Sequence, residues 1–274
     1  MELMNVLHGF HYTDQAPYDC RIEWGPRGAR AAAERGDIVI IVDVLSFSST
    51  VVTALHYGAL IIPYPPPMEG ARSFAAAQGA ELVTGRAEAA KTGGHSLSPL
   101  SFGSADRSRP FVLCSANGAA CTAAGAAAQT AAVIAGSLLN ASAAARAAER
   151  LRLLRPGKAV TVIACGERWD NARQEENSLR PAIEDYLGAG AILSGLSGSR
   201  SPEARLCAAA YEAVRSDVRA LLLDCASGRE LRLRGFEDDV AHCSSTDRYE
   251  AVPMLQGGRF VDASAPDALI GDAL

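Results

Sequence analysis

Residues 38–45 read IVIIVDVL: five consecutive branched apolar residues run directly into a carboxylate, Asp43. A strand that is apolar at every position, rather than at alternate positions, has to be covered on both faces. That is the condition of a parallel sheet packed between helices. Shorter runs of the same kind lie at 59–63, 81–84, 111–114, 131–135, 159–165 and 219–225. Between them fall helix-like stretches at 50–57, 70–78, 118–128, 141–154, 179–187 and 202–216, with Gly58 and Gly79 placed to terminate the first two. Alternating strand and helix predicts an α/β chain. The expected architecture is three-layer α/β/α with a largely parallel sheet, built as one unit over residues 1–274 or as two closely packed α/β lobes without a separating linker. In such folds ligands bind at the carboxyl ends of the strands, so chemistry is sought there.

Composition removes several function classes. Lys plus Arg number 26 and Asp plus Glu 31, a formal net charge of −5, with arginines dispersed among acids. A nucleic-acid partner would require a concentrated basic face, so none is expected. The Ala-rich stretch 119–148 is interrupted by Gly125, Gln129, Gly136, Asn140 and Arg146, so no membrane span is expected. Residues 1–10 lack a basic segment followed by an apolar one. The cysteines, 20, 114, 121, 165, 207, 225 and 243, form no CxxC pair. Both features predict a cytoplasmic protein with free thiols. Neither GxSxG nor GxxxxGK[ST] occurs, which argues against an elbow-type serine hydrolase and a P-loop NTPase.

Three constellations sit at predicted strand ends. In the first, Asp43 is followed by Ser46, Ser48, Ser49 and Thr50, ahead of a helix expected to begin near Thr50. A helix N-terminus suits phosphate, and a neighbouring carboxylate suits a Mg²⁺ bridging to it. The same residues also read as an N-cap series with Asp43 bonded to backbone. The second is Ser115-Ala116-Asn117-Gly118, in which Asn117 either caps a helix or holds a ligand by its amide. The third is Cys165-Gly166-Glu167-Arg168, followed by Arg180 and the acidic pair Glu184-Asp185. Arg180 and Glu184 are spaced to pair on one helix face, which also fits a solvated, salt-bridged helix. Together these segments offer the groups that bind a phosphate and a divalent metal.

The segments IVDVLSFSSTVVTAL, SLSP, SANGA, GSLLNASA, IACGERW and SLRPAIEDYLGAGAIL occur in an order that resembles the 2-phosphosulfolactate phosphatase family, the Mg²⁺-dependent phosphatases named from coenzyme M biosynthesis. The resemblance runs from about residue 37 to residue 193. It continues more weakly through Asp224, Ser227, Gly228 and Asp238-Asp239-Val240. The family pattern DVLRATTT corresponds to residues 43–50, with Ser46 where the family has Arg. TTNGT corresponds to residues 115–119, keeping Asn117 and Gly118. GNSP corresponds to Leu97-Ser98-Pro99 with Leu97 in place of Asn, and GER to Gly85-Arg86 without the acid.

The resemblance implies hydrolysis of a small acidic phosphorylated hydroxy acid with Mg²⁺ as cofactor. In that expectation Asp43 and Asp185 are catalytic, and Asp43, Glu184 and Asp185 are metal ligands. Ser46, Ser48, Ser49, Thr50, Asn117, Gly118, Glu167, Arg168 and Arg180 contact substrate, with Arg168 or Arg180 replacing the charge absent at Ser46. Asp43 could be ligand or nucleophile. The expected partner is a small anionic phosphorylated substrate, and a homodimer is among the expected assemblies. The competing expectation is a non-catalytic binder of a phospho-metabolite on the same scaffold, favoured by the replacements at Ser46, Ala116 and Leu97.

Overall fold

The structure, a computed structural model, describes residues 11–126, 129–173 and 175–265. The expectation for residues 1–10, and the last two residues of the helix expected at 118–128, lie outside that range. The elements in chain order are β1 (Cys20–Trp24), α1 (Gly25–Glu34), β2 (Ile38–Val42), α2 (Phe47–His56), β3 (Leu60–Tyr64), α3 (Ala71–Ala77), β4 (Glu81–Leu82), α4 (Arg86–Thr92), β5 (Pro110–Cys114), α5 (Gly118–Gly125) and β6 (Ala132–Gly136). They continue with α6 (Ala141–Leu154), β7 (Val160–Ala164), β8 (Glu167–Arg168), β9 (Leu179–Arg180), α7 (Ile183–Ser194), α8 (Pro202–Val214), α9 (Val218–Asp224), α10 (Ala226–Leu233), α11 (Glu237–Cys243), β10 (Pro253–Gln256) and β11 (Arg259–Asp262).

One nine-stranded sheet runs in the order β1-β7-β2-β6-β10-β11-β3-β5-β4. Its left block, β1, β7, β2 and β6, is parallel, as is its right block, β3, β5 and β4. The antiparallel hairpin β10–β11 joins the blocks, Met254 pairing with Ile134 and Phe260 with Ile61. The expected layered, largely parallel sheet is therefore present. Its two parallel halves are sutured by a hairpin from the far end of the chain.

The continuous apolar run of β2 explains the layering. Ile38, Ile40 and Val42 pack with α6 and α7 residues such as Ala144, Leu151 and Ile192. Val39 and Ile41 pack on the opposite face with Ala29, Ala32 and Cys121 of α1 and α5. Strand residues alternate faces, so a run without polar residues fills two cores at once. Each fully buried aliphatic side chain contributes roughly 1.5–3 kcal/mol relative to exposure.

Several expectations change. Residues 219–225 form the helix α9 rather than a strand: Val218 and Leu222 are buried one turn apart while Leu221 is 38% exposed, a helical and not a two-sided pattern. The helix expected at 179–187 begins only at Ile183, because Pro181 disfavours helical backbone at Arg180, which instead joins β9. It continues to Ser194 through Gly188 and Gly190. The helix expected from Thr50 begins at Phe47, one turn earlier. No helix among the described residues is long and apolar enough to cross a membrane.

α7 and α8 approach closely because Gly190 carries no side chain; a Cβ there would lie 2.5 Å from the Cys207 carbonyl oxygen and 2.8 Å from Tyr211 Cβ. Backbone cannot yield as a side chain can. Gly190→Ala is expected to lower the unfolding free energy by about 1–3 kcal/mol, read from a chemical denaturation midpoint. An unchanged midpoint would contradict the close packing.

Candidate active site

β2 ends at Val42 and α2 begins at Phe47, so Asp43 stands at the carboxyl end of a central strand. It is 6% exposed. Its Oδ1 accepts the Phe47 N–H at 3.0 Å, and its Oδ2 accepts the Gly118 N–H at 2.9 Å. The N-terminal ends of α2 and α5 thus both point at one carboxylate, where their partial positive charge favours the anion. The two helix starts meet because residue 118 is glycine; a Cβ there would lie 2.2 Å from Phe47 Cδ1. Ser115 Oγ accepts the N–H groups of Asn117 and Gly118, shaping the turn into α5.

The acidic pair at the start of α7 divides its work. Asp185 Oδ1 accepts the Val44 N–H and Oδ2 the Gly166 N–H, each at 2.8 Å, tying the chain leaving β2 to the chain leaving β7. Glu184 is 2% exposed and lies in the field of Asp43, with the Cys225 thiol beside it. Glu167 lies on β8, opposite Arg180 of β9, and its Oε2 accepts the Asn117 side-chain amide at 2.8 Å. Asp43, Glu167, Glu184 and Asp185 come from three separated segments and lie within one another's electrostatic field. Burial pushes the Asp43 carboxyl up to about 6, the Phe47 and Gly118 amides pulling it back and Glu184 adding to the rise. Burial, then the Asp43 charge, pushes Glu167 up to about 7. Asp185 is raised for the same reasons, with Glu184 contributing.

The hydroxyls expected around a phosphate take other positions. Because α2 starts early, Ser48, Ser49 and Thr50 lie within its first turn. Their hydroxyls donate to the carbonyls of Ile41, Val44 and Leu97 respectively. Ser48 Oγ also accepts the Asp43 N–H. Ser46, 1% exposed, receives an arginine instead: Arg86 Nη2 donates to its Oγ at 2.9 Å. The guanidinium beside Ser46 is therefore that of Arg86. Arg168 is exposed on β8 and donates to the Ala116 carbonyl, while Arg180 lies over the Trp169 ring.

Arg86 is held from three sides. Its Nε donates to Asp239 Oδ2 at 3.0 Å, and its Nη2 donates also to the Leu97 carbonyl at 3.1 Å. Asp239, on α11, accepts the Ser98 hydroxyl at 2.5 Å on its other oxygen. Phe236 lies under the guanidinium. Arg86, Asp239 and Ser98 are absent from the residues expected at the site. The Gly85-Arg86 fragment and the acidic run Glu237-Asp238-Asp239 were the available signals, and neither identifies a partner 153 residues away.

No three His, Cys, Asp or Glu side chains among the described residues converge into a metal-binding group of their own. Mg²⁺, however, is commonly held by one or two carboxylates, with waters and substrate oxygens completing the octahedron. Asp43 and Glu184 supply hard oxygen donors in a buried site where carboxylates outweigh cations. Each Asp43 oxygen spends one lone pair on an amide and keeps another. The donor set fits such an ion. Asp185 is held in the same way, one backbone amide on each oxygen, and its two bonds tie the loops after β2 and β7 together.

Comparison with known proteins places the chain in a family. The family profile described as 2-phosphosulpholactate phosphatase matches residues 26–258. A protein of Thermus thermophilus named probable 2-phosphosulfolactate phosphatase is 30% identical over 234 residues, covering 81% of this chain and 89% of its own. Proteins of the same name from Pseudothermotoga lettingae and Carboxydothermus hydrogenoformans are 28% and 30% identical, covering 82% and 83% of this chain and 92% and 90% of theirs. The matched span runs from α1 to the β10–β11 turn, taking in Asp43, Asn117, Glu167 and the Glu184-Asp185 pair. The chain belongs to the 2-phosphosulfolactate phosphatase family.

Proposed function

We propose that the chain is a cytoplasmic, Mg²⁺-dependent phosphatase that hydrolyses the phosphate monoester of a short hydroxy acid bearing further acidic groups, of the 2-phosphosulfolactate kind. The observation that carries this is Asp43: a buried carboxylate at a strand end, fixed by two helix N-termini and in the electrostatic field of Glu184, Asp185 and Glu167. The names of the relatives supply the substrate class. The free thiols Cys20, Cys114, Cys121, Cys165, Cys207, Cys225 and Cys243 support the compartment.

The roles follow from what each side chain touches. Asp43 and Glu184 would hold the metal, which when bound would supply Lewis-acid polarisation of the phosphoryl group and orientation of the attacking water. The Phe47 and Gly118 amides keep the Asp43 carboxylate in one orientation, so no reorganisation is needed when substrate arrives. Asp185 acts through Val44 and Gly166 and is a positioning residue. Glu167, held by Asn117 and carrying its proton up to about pH 7, stands at the rim of the cluster and gives that proton to the departing alkoxide. Arg168 and Arg180 flank the same rim on β8 and β9 and attract the anionic substrate.

Phosphate release from 2-phosphosulfolactate tests the reading. The wild type is expected to release phosphate only with Mg²⁺ or Mn²⁺. Asp43→Asn is expected to lower kcat by at least about a thousandfold, an order set by losing both a ligand and its charge, with an unchanged circular dichroism spectrum. Binding of the substrate without release would favour the non-catalytic reading instead.

A second test needs no turnover. Asp43 and Glu167 have folded-state values raised above the ordinary 3.8 and 4.5. Between roughly pH 4 and 7 the native state then binds more protons than the unfolded chain, and stability falls as pH rises through that window. The lowered carboxyls of Asp19, Asp106 and Glu149 act oppositely, their contribution being lost as pH falls below the ordinary carboxylate range. In chelator-treated protein the melting temperature is expected to drop from about pH 5 to about pH 7.5. Glu167→Gln should shallow the drop, and Mg²⁺ should recover part of it at the higher pH. A flat profile unaffected by Mg²⁺ would contradict the carboxylate assignment.

A further inference from the structure

Arginine has five N–H donors in a rigid fork. In Arg86 three are spent inside the protein: Nε on Asp239, and Nη2 on Ser46 Oγ and the Leu97 carbonyl. The Nη1 hydrogens donate to no described residue, and Nη1 is not among the buried unpaired atoms. The side chain as a whole is only 9% exposed, so one edge of an otherwise enclosed guanidinium opens outward. That charge lies close enough to Asp43 to act on its carboxyl.

Its support is costly in a way that a purely structural cation would not require. Asp239 is 3% exposed and sits in the first turn of α11, and its second oxygen is anchored by the Ser98 hydroxyl. Ser98 lies in the segment whose Leu97 carbonyl accepts both Arg86 and Thr50. A loop, a strand-end turn and a helix from the chain's last quarter are thus joined to hold one guanidinium plane beside the carboxylate cluster. Phe236 stacks beneath it and leaves only the Nη1 edge free.

We propose that Arg86, oriented by Asp239 and Ser98, is the specificity-determining cation of this site, and that its free Nη1 edge takes the substrate's second anionic group, a carboxylate or sulfonate, while the phosphoryl group lies on the Asp43 side. This rests on the phosphatase reading for the identity of the substrate; the geometry itself names an anionic group as the partner of the free guanidinium edge. It assigns to Arg86 the role expected at the outset of Arg168 or Arg180. Arg168 is exposed and bonded to a carbonyl, and half-buried Arg180 lies on an indole, so neither guanidinium is held open towards a ligand as Arg86 is.

The test is equilibrium binding by calorimetry of two probes, sulfolactate (the dephosphorylated dianion) and inorganic phosphate, to wild type and to Arg86→Gln, Arg86→Lys, Asp239→Asn, Arg168→Ala and Arg180→Ala. Arg86→Gln is expected to weaken sulfolactate at least about tenfold more than inorganic phosphate, the scale of a lost charge-assisted contact. Arg86→Lys keeps the buried charge and guards against misfolding; it should retain part of the affinity but not the preference. Asp239→Asn should move the same way by a smaller factor, whereas Arg168→Ala and Arg180→Ala should not change the ratio of the two affinities. The proposal is overturned if wild type does not bind sulfolactate, if Arg86 variants weaken both probes equally or neither, or if the Arg168 or Arg180 variants carry the selective loss. Turnover of 2-phosphosulfolactate is measured separately. A wild type that binds sulfolactate through Arg86 yet releases no phosphate would refute the phosphatase reading and leave this inference standing.

Discussion

The contact on which the site depends is a carboxylate accepting two backbone amides. Asp43 is removed from water at the end of β2, and the N–H groups of Phe47 and Gly118 close on its two oxygens. Burying an ionised carboxyl without compensation costs several kcal/mol. Two helix N-termini offset part of that cost, each by up to about 2 kcal/mol in a partly buried geometry. The remainder shows as a carboxyl raised to about 6, a group held in place but not satisfied. The charges of Glu184, Asp185 and Glu167 act on the same group or on one another and increase the deficit. A structure with no other use for these acids would replace them by apolar residues of similar volume, often at no loss of stability. Their presence near Asp43 is what the proposed metal would offset.

The surrounding fold explains how residues so far apart meet. β2, β6 and β7 run parallel, so their carboxyl ends deliver Asp43, Ser137 and the Cys165-Gly166 turn to one edge of the sheet. Asp185 fastens two of these ends together through Val44 and Gly166. The start of α5, which follows β5 of the second block, reaches the same point through the Gly118 N–H bond to Asp43. The β10–β11 hairpin holds the blocks in register, and α11 reaches back over α2 to place Asp239 on Arg86. The final quarter of the chain is therefore part of the site and not an appendage to it.

How much of this was legible in the sequence depends on the range of the interaction. The two-sided strands β2, β5 and β7 are visible because burial on both faces forbids polar residues, a local and continuous signal. The hairpin β10–β11 and the first strand β1 are mixed in composition, and they are recognised only by their neighbours. Residues 219–225 look like a strand because three leucines in a row fit either period; the helix is decided by which of them faces α7. Asp43, Asn117 and the Glu184-Asp185 pair stand out as polar groups at strand ends or helix starts. Ser48, Ser49 and Thr50 look like phosphate ligands for the same reason, but an earlier start of α2 turns their hydroxyls onto carbonyls. Arg86 carries the weakest local signal. Its meaning lies in Asp239 and Ser98, which no spacing rule connects to it.

The most direct measurement is a crystal grown with Mn²⁺ and inorganic phosphate, with the ion located by anomalous scattering. The account predicts one ion within coordinating distance of an Asp43 oxygen, with phosphate on its open side and the Phe47 and Gly118 amides still closed on the carboxylate. An ion and phosphate bound elsewhere, with Asp43 touching only backbone, would contradict it.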